Sequence, residues 1–172
     1  MTFAIPPEVE PGDRLTASLW NSNIKPNLDA LYPLGDSLST FTPVLEQIIS
    51  ISITVGFSQY LHVGRMCFWN FRIDATSAGS PGSQIFMTIP VPAWSGLAVF
   101  MPIGFAQFRD ADAGSGRATD NCTISIMDAN RNRVQFQNER TEGNVLGAVP
   151  SFAVASGDFI RGWACYPTET LA

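Results

Sequence analysis

The chain is poor in the residue types that do chemistry. It has one histidine, His62, and three cysteines, Cys67, Cys122 and Cys165, set far apart. With no second imidazole, a metal site would need carboxylates or thiols alone, and no CxxC knuckle or even-numbered disulfide framework is spelled out. The cysteines are therefore expected as buried free thiols. No Gly-x-Ser-x-Gly elbow accompanies His62, so a nucleophilic triad has no nucleophile. Charged residues make up 15% of the chain, against roughly 25% in an average soluble protein. The net charge of -5, without a Lys/Arg-rich run, excludes a phosphate-backbone binder, so no nucleic-acid partner is expected. No uninterrupted apolar run is long enough to span a bilayer, and Met1 to Glu8 lacks the basic start and apolar stretch of a signal peptide. The expectation is a soluble protein made in a cytoplasm, with no membrane partner, no cofactor and no bound metal.

What is present is apolar. Hydrophobic residues stand at 45% and phenylalanine occurs 12 times, so little charge is left to keep the surface solitary. The first residues, including Ile5-Pro6-Pro7 and Glu10-Pro11-Gly12, favour an extended arm. Leu15, Leu19, Trp20, Ile24, Leu28 and Leu31 then recur at helical intervals, with Asp13 or Thr16 placed to cap. Pro26 cannot sit in a straight helix because its ring meets the carbonyl of Ser22, so a kink is expected there. So short a helix needs a surface to cover. That surface is either its own domain or, as the leading arm suggests, copies of itself or another protein.

From Phe41 onward the period falls to two. Strands are expected at Ile48 to Val55, Phe57 to Val63, Met66 to Ala75, Gln84 to Thr88, Leu97 to Arg109, Cys122 to Asp128, Val134 to Asn138, Ser151 to Ala155 and Phe159 to Tyr166. Turn chemistry separates them, as at Gly79-Ser-Pro-Gly82, Pro90-Val-Pro92 and Ser156-Gly-Asp158. The fold class expected is mainly β: an antiparallel β-sandwich of jelly-roll type over residues 37 to 172, preceded by the arm and short kinked helix of residues 1 to 36.

The densest cluster of reactive residue types is Tyr60 to Ile73. Its odd positions Cys67, Trp69, Phe71 and Ile73 are all apolar, and its even positions Met66, Phe68, Asn70 and Arg72 are mixed. The odd face is expected in the core and Gly64 in a hairpin turn. The half-polar even face is what a sheet shows to a neighbouring subunit. Asp110 and Asp112 alternate as in a calcium loop, yet the later acidic ligands are missing, and a solvated loop is expected. Trp94 and Phe108 are candidates to stack on a sugar ring.

Gly12-Asp-Arg-Leu-Thr-Ala-Ser-Leu-Trp-Asn-Ser-Asn-Ile-Lys-Pro-Asn-Leu28 resembles the "G-x-x-Leu-Thr-Ala-x-x-Trp-Asn-x-Asn-Val-Arg-Asp-Asn" opening of small virion proteins of tailed bacteriophages, labelled minor tail, fibre or decoration proteins. Phe41-Thr-Pro-Val-Leu45, the Gly64-Arg65 spacing between Tyr60 and Trp69, Ile89-Pro-Val-Pro-Ala93 and Pro150 to Asp158 are similar to further motifs of that group, in the same order. Pro26 departs from the usual Asp. The resemblance implies a non-enzymatic, homotrimeric β-knob, fixed through its N-terminal part to the major capsid or a tail protein and assembled in a host bacterial cytoplasm. Leu15, Leu19, Trp20, Ile24, Leu28 and Leu31 would then be anchoring contacts. On the virion surface the protein would be capsid decoration or a head fibre, or alternatively a tail-fibre module that binds host-surface glycans.

Overall fold

Ten residues, Met66–Ala75, form a strand whose side chains alternate strictly between exposed and buried as far as Ile73. Cys67, Trp69, Phe71 and Ile73 are 2% exposed or less, each contributing about 1.5–3 kcal/mol by leaving water. Around it the computed structural model describes residues 38–111, 119–127, 131–138, 145–148 and 151–169. Apart from Leu38, these belong to one compact unit, Ser39–Leu171. The expected arm and helix, with Leu15, Leu19, Trp20, Ile24, Leu28 and Leu31, lie outside the described residues, as does Asp112.

The strands are β1 (Ser39–Thr40), β2 (Leu45–Gln47), β3 (Ile49–Ile51), β4 (Ile53–Val63), β5 (Met66–Ala75), β6 (Phe86–Thr88), β7 (Pro102–Arg109), β8 (Asp120–Ile126), β9 (Arg133–Asn138) and β10 (Phe159–Pro167). Every pairing is antiparallel, in the order β1-β4-β5-β10-β7-β8-β9-β6-β2-β3. The mainly-β expectation holds, with the jelly-roll arrangement not confirmed: one continuous ten-stranded antiparallel sheet curls into a half-barrel. The reason lies at Ser52. β3 is one edge of the sheet and β4 is next to the other, yet only Ser52 separates them. Ser52 accepts a hydrogen bond from Thr76 N at 2.8 Å and donates its own N–H to Ser77 Oγ at 2.8 Å. A chain that crosses between sheet ends in one residue forces the sheet to roll up. The rolled inner face is a single core running from Leu45 and Met87 through Val134, Phe136 and Ile124 to Phe108, Phe71 and Trp69.

Two local devices shape the strands. Gly64, at φ +58, is the first of two residues in the β4–β5 turn, and Val63 pairs with Met66. That matches the glycine-first hairpin turn whose twist suits flanking strands. In the middle of β4 the register slips between Val55 and Phe57. The bulge at Gly56 reverses the alternation, so Val55 opposes inward-facing Ile73 while Phe57 opposes outward-facing Arg72.

One expected strand, Leu97 to Arg109, begins only at Pro102, and another is absent. Leu97 to Met101 is a turn, with Leu97 N bonded to Trp94 O at 3.0 Å and Met101 N to Ala98 O at 3.2 Å. Ser151 to Ala155 has no ladder partner beyond a bridge from Ser151 to Gly147. Its backbone is instead held by a buried side chain: Gln47 accepts from Val154 N at 2.9 Å and donates to Phe152 O at 2.8 Å and Ser83 O at 2.9 Å. Gln47 lies in β2, a three-residue strand not expected from the sequence.

Candidate functional site: the outer face of the sheet

The outer faces of β4, β5, β10, β7 and β8 are built rung by rung, because residues directly opposite in an antiparallel pair share a face. The first rung is Asp74, Phe159 and Arg109. The second is Phe57, Arg72, Arg161, Gln107 and Asn121. The third is Gln59, Asn70, Trp163, Phe105 and Thr123. The fourth is Leu61, Phe68 and Cys165, and the fifth Val63, Met66 and Pro167. One surface thus grades from arginine at one end, through amides and aromatics, to wholly apolar at the other.

Its large side chains face outward. Phe57, Phe68, Phe105 and Trp163 are each 42–51% exposed. Phe105 and Trp163 lean together with ring centroids 5.8 Å apart at 53°. A shallow groove runs between them and is lined by Phe57, Asn70, Gln107, Asn121 and Arg161. A second, almost purely apolar depression lies over Phe68, Trp163 and Cys165. Roughly half of four aromatic side chains amounts to about 400 Å² of exposed ring, within the size range of a monomer's largest and often functional patch.

The charged end is crowded. Arg72, Arg109 and Arg161 place their guanidinium carbons 4.9, 5.7 and 5.7 Å from the centre of the Phe159 ring. Arg72 donates to Asp74 at 3.0 Å, and Arg161 Nε donates to Gln107 Oε1 at 2.9 Å. Arg72 and Arg161 are nonetheless direct cross-strand partners, an arrangement that costs stability.

The residues singled out from the sequence scatter. Trp94 is 44% exposed, in the loop after β6, and its N–H bonds Pro167 O at 2.8 Å. Phe108 is 1% exposed and packs on Phe152, with centroids 5.0 Å apart, so it presents no face to a ligand. It shares the inward parity of Ala106. Its neighbours Phe105, Gln107 and Arg109 hold the outward positions, and strict alternation through β7 would have pointed to Phe105 instead. Trp163 was harder to find, because both parities of β10 carry large apolar residues; its sharing a parity with Arg161 was the signal. Met66, Phe68 and Arg72 share the outward face, as their spacing implied, with Arg72 toward one end and Met66 at the other.

His62 lies on the inner parity with its Nε2 2.8 Å from Thr168 Oγ1. Burial pushes the Cys67 thiol above its usual range, against a hydrogen bond with Tyr166 that lowers it, so it is no thiolate at neutral pH. Burial likewise raises Cys165 and, far more, Tyr166, whose hydroxyl donates to Val91 O at 3.0 Å. Among the described residues no three His, Cys, Asp or Glu side chains converge as metal ligands, and no helix is long and apolar enough to cross a membrane.

Comparison with protein-family models, with curated proteins and with solved structures finds no match for this chain.

Proposed function

We propose that the protein is a structural subunit of a tailed-phage particle, a homotrimeric capsid decoration or head-fibre protein. In this reading the apolar end of the outer face is the seam between subunits, and residues 1 to 36, with Leu15, Leu19, Trp20, Ile24, Leu28 and Leu31, provide the anchor to the major capsid protein. The observation that carries it is the solvent-side placement of Leu61, Val63, Met66, Phe68 and Cys165 on adjacent rungs of three neighbouring strands. Specific interfaces bury about 800 Å² per partner, and this patch supplies a large apolar share of that. The resemblance of its sequence motifs to those of phage virion proteins favours the same reading.

The test is sedimentation equilibrium of the intact chain at micromolar concentration. Wild type is expected at three protomer masses. A Leu61→Arg and Phe68→Arg double variant, folded by circular dichroism, is expected at one, since a desolvated unpaired guanidinium in a packed seam is strongly unfavourable. A monomeric wild type, or a double variant that still sediments as a trimer, refutes the seam.

A further inference from the structure

The opposite end of the outer face has different chemistry and a different use. Three of the chain's basic residues converge on one phenylalanine ring in a protein of net charge -5. Two of them, Arg72 and Arg161, are directly opposed across β5 and β10. Gln107 and Asp74 engage only some of the five N–H donors that each guanidinium carries. One rung away the half-exposed rings of Trp163 and Phe105 line a groove together with the amides of Asn70, Gln107 and Asn121.

We infer that this groove binds an anionic carbohydrate: Trp163 and Phe105 take the apolar face of a pyranose ring, and Arg161 in the groove's lining, with Arg72 directly opposite it on the same rung, takes the carboxylate, sulfate or phosphate group it bears. Each part of the site answers a part of that ligand. A sugar ring has one face of C–H groups suited to an aromatic platform, and a rim of hydroxyls that both donate and accept, as primary amides do. Planar guanidinium groups match oxyanions with paired hydrogen bonds. The positive cluster complements the ligand's charge and relieves the Arg72–Arg161 opposition when occupied. The groove lies open on a sheet surface, which suits an internal unit of a polymer better than a small molecule enclosed on all sides. Trp163 borders both this groove and the apolar depression of the seam, but Leu61 and Phe68 are not in the groove's lining.

The experiment is isothermal titration of the intact chain with polygalacturonate, chondroitin sulfate and neutral dextran. At least one acidic polymer is expected to bind, with dextran at least about tenfold weaker. Arg161→Gln and Arg72→Gln are each expected to weaken acidic-polymer binding about tenfold, leaving dextran unaffected. Trp163→Ala, and as a milder second variant Phe105→Leu, are expected to weaken it too, with thermal melts confirming the fold. A response to only one of the two acidic polymers supports the site and identifies the anionic group. A Leu61→Ser and Phe68→Ser double variant, which adds no charge beside the groove, is expected to bind normally, so loss of the trimer and loss of the groove are read separately. The inference is overturned if neither acidic polymer outcompetes dextran. It is equally overturned if polyglutamate binds as tightly as the polysaccharides with no loss on Trp163→Ala, for then the site reads charge and no sugar.

Discussion

The two faces of β5 are cut from the same ten residues and have opposite physical roles. Trp69 and Phe71 stack with centroids 4.3 Å apart, Trp69 Nε1 donates to Ser58 Oγ at 3.0 Å, and nothing on that side reaches water. On the other side Phe68 is nearly half exposed between Leu61 and Cys165. Area burial alone makes the inner face the source of stability and leaves the outer face free to specialise in contacts. The sharpest break of this contrast is a pair of matched truncations. Phe71→Ala is expected to cost about 3–5 kcal/mol in denaturant unfolding, from lost transfer energy plus a cavity. Phe68→Ala is expected to change the monomer's stability by no more than about 0.5 kcal/mol while weakening self-association. Comparable losses from both would mean that the outer ring is packed into the protomer itself.

The contrast has an exception that makes the next prediction. Gln47 is a polar residue at 0% exposure on the inner side, and its amide satisfies Val154 N, Phe152 O and Ser83 O together. Gly147 makes room for it, since a Cβ there would come within 2.8 Å of Gln47 Nε2. Gln47→Ala strands one donor and two acceptors and is expected to cost about 3 kcal/mol, with proteolysis starting in the 151–155 segment rather than in β5. If hydrogen exchange accelerates uniformly across the sheet instead, Gln47 is an ordinary part of the core and not a pin for that segment.

The difference between the faces was legible in β5, because Cys67, Trp69, Phe71 and Ile73 fall on one parity with no bulge to interrupt them. It was not legible in β4. Phe57 has the parity of Val55, and only the register slip at Gly56 turns it outward. Strand order was also out of reach of periodicity: β10, last in the described chain, inserts between β5 and β7, a long-range choice that no local pattern encodes. The Leu97 to Met101 run has strand composition, yet the chain turns there, with Phe100 at φ +66 and 56% exposed. The 151–155 run fails as a strand for another reason, since its hydrogen bonds go to the side chains of Gln47 and Asp158 and to the backbone of Gly147 and Gly79 rather than to a neighbouring strand. The arginine cluster needed tertiary structure outright: Arg72, Arg109 and Arg161 come from three strands distant in sequence. Only cross-strand register sets them around Phe159.

The smallest expected effect lies beside the apolar end of the outer face, in the response of one loop to acid. Next to the apolar end, the loop carrying Trp94 is fastened by Glu169, whose Oε1 accepts Ser95 N at 2.7 Å, while Trp94 N bonds Pro167 O at 2.8 Å. The hydrogen bonds from Ser95, with a smaller contribution from Arg65, hold the Glu169 carboxyl below its usual 4.5. A carboxylate with a depressed folded value contributes its stabilisation fully above that usual range and loses it as pH falls through the lower, folded value. The clasp is therefore intact at neutral pH and opens only in acid. Its full exposure keeps the effect local, so global unfolding is the wrong measurement. Amide exchange at Trp94 and Ser95, corrected for the intrinsic pH dependence, is expected to accelerate as pH drops below the usual glutamate value, while amides of β5 stay protected. Glu169→Gln is expected to remove the pH dependence, because the amide oxygen accepts from Ser95 N without titrating. An unchanged loop across that window in the wild type would show that Trp94 N and its backbone partner hold the loop unaided.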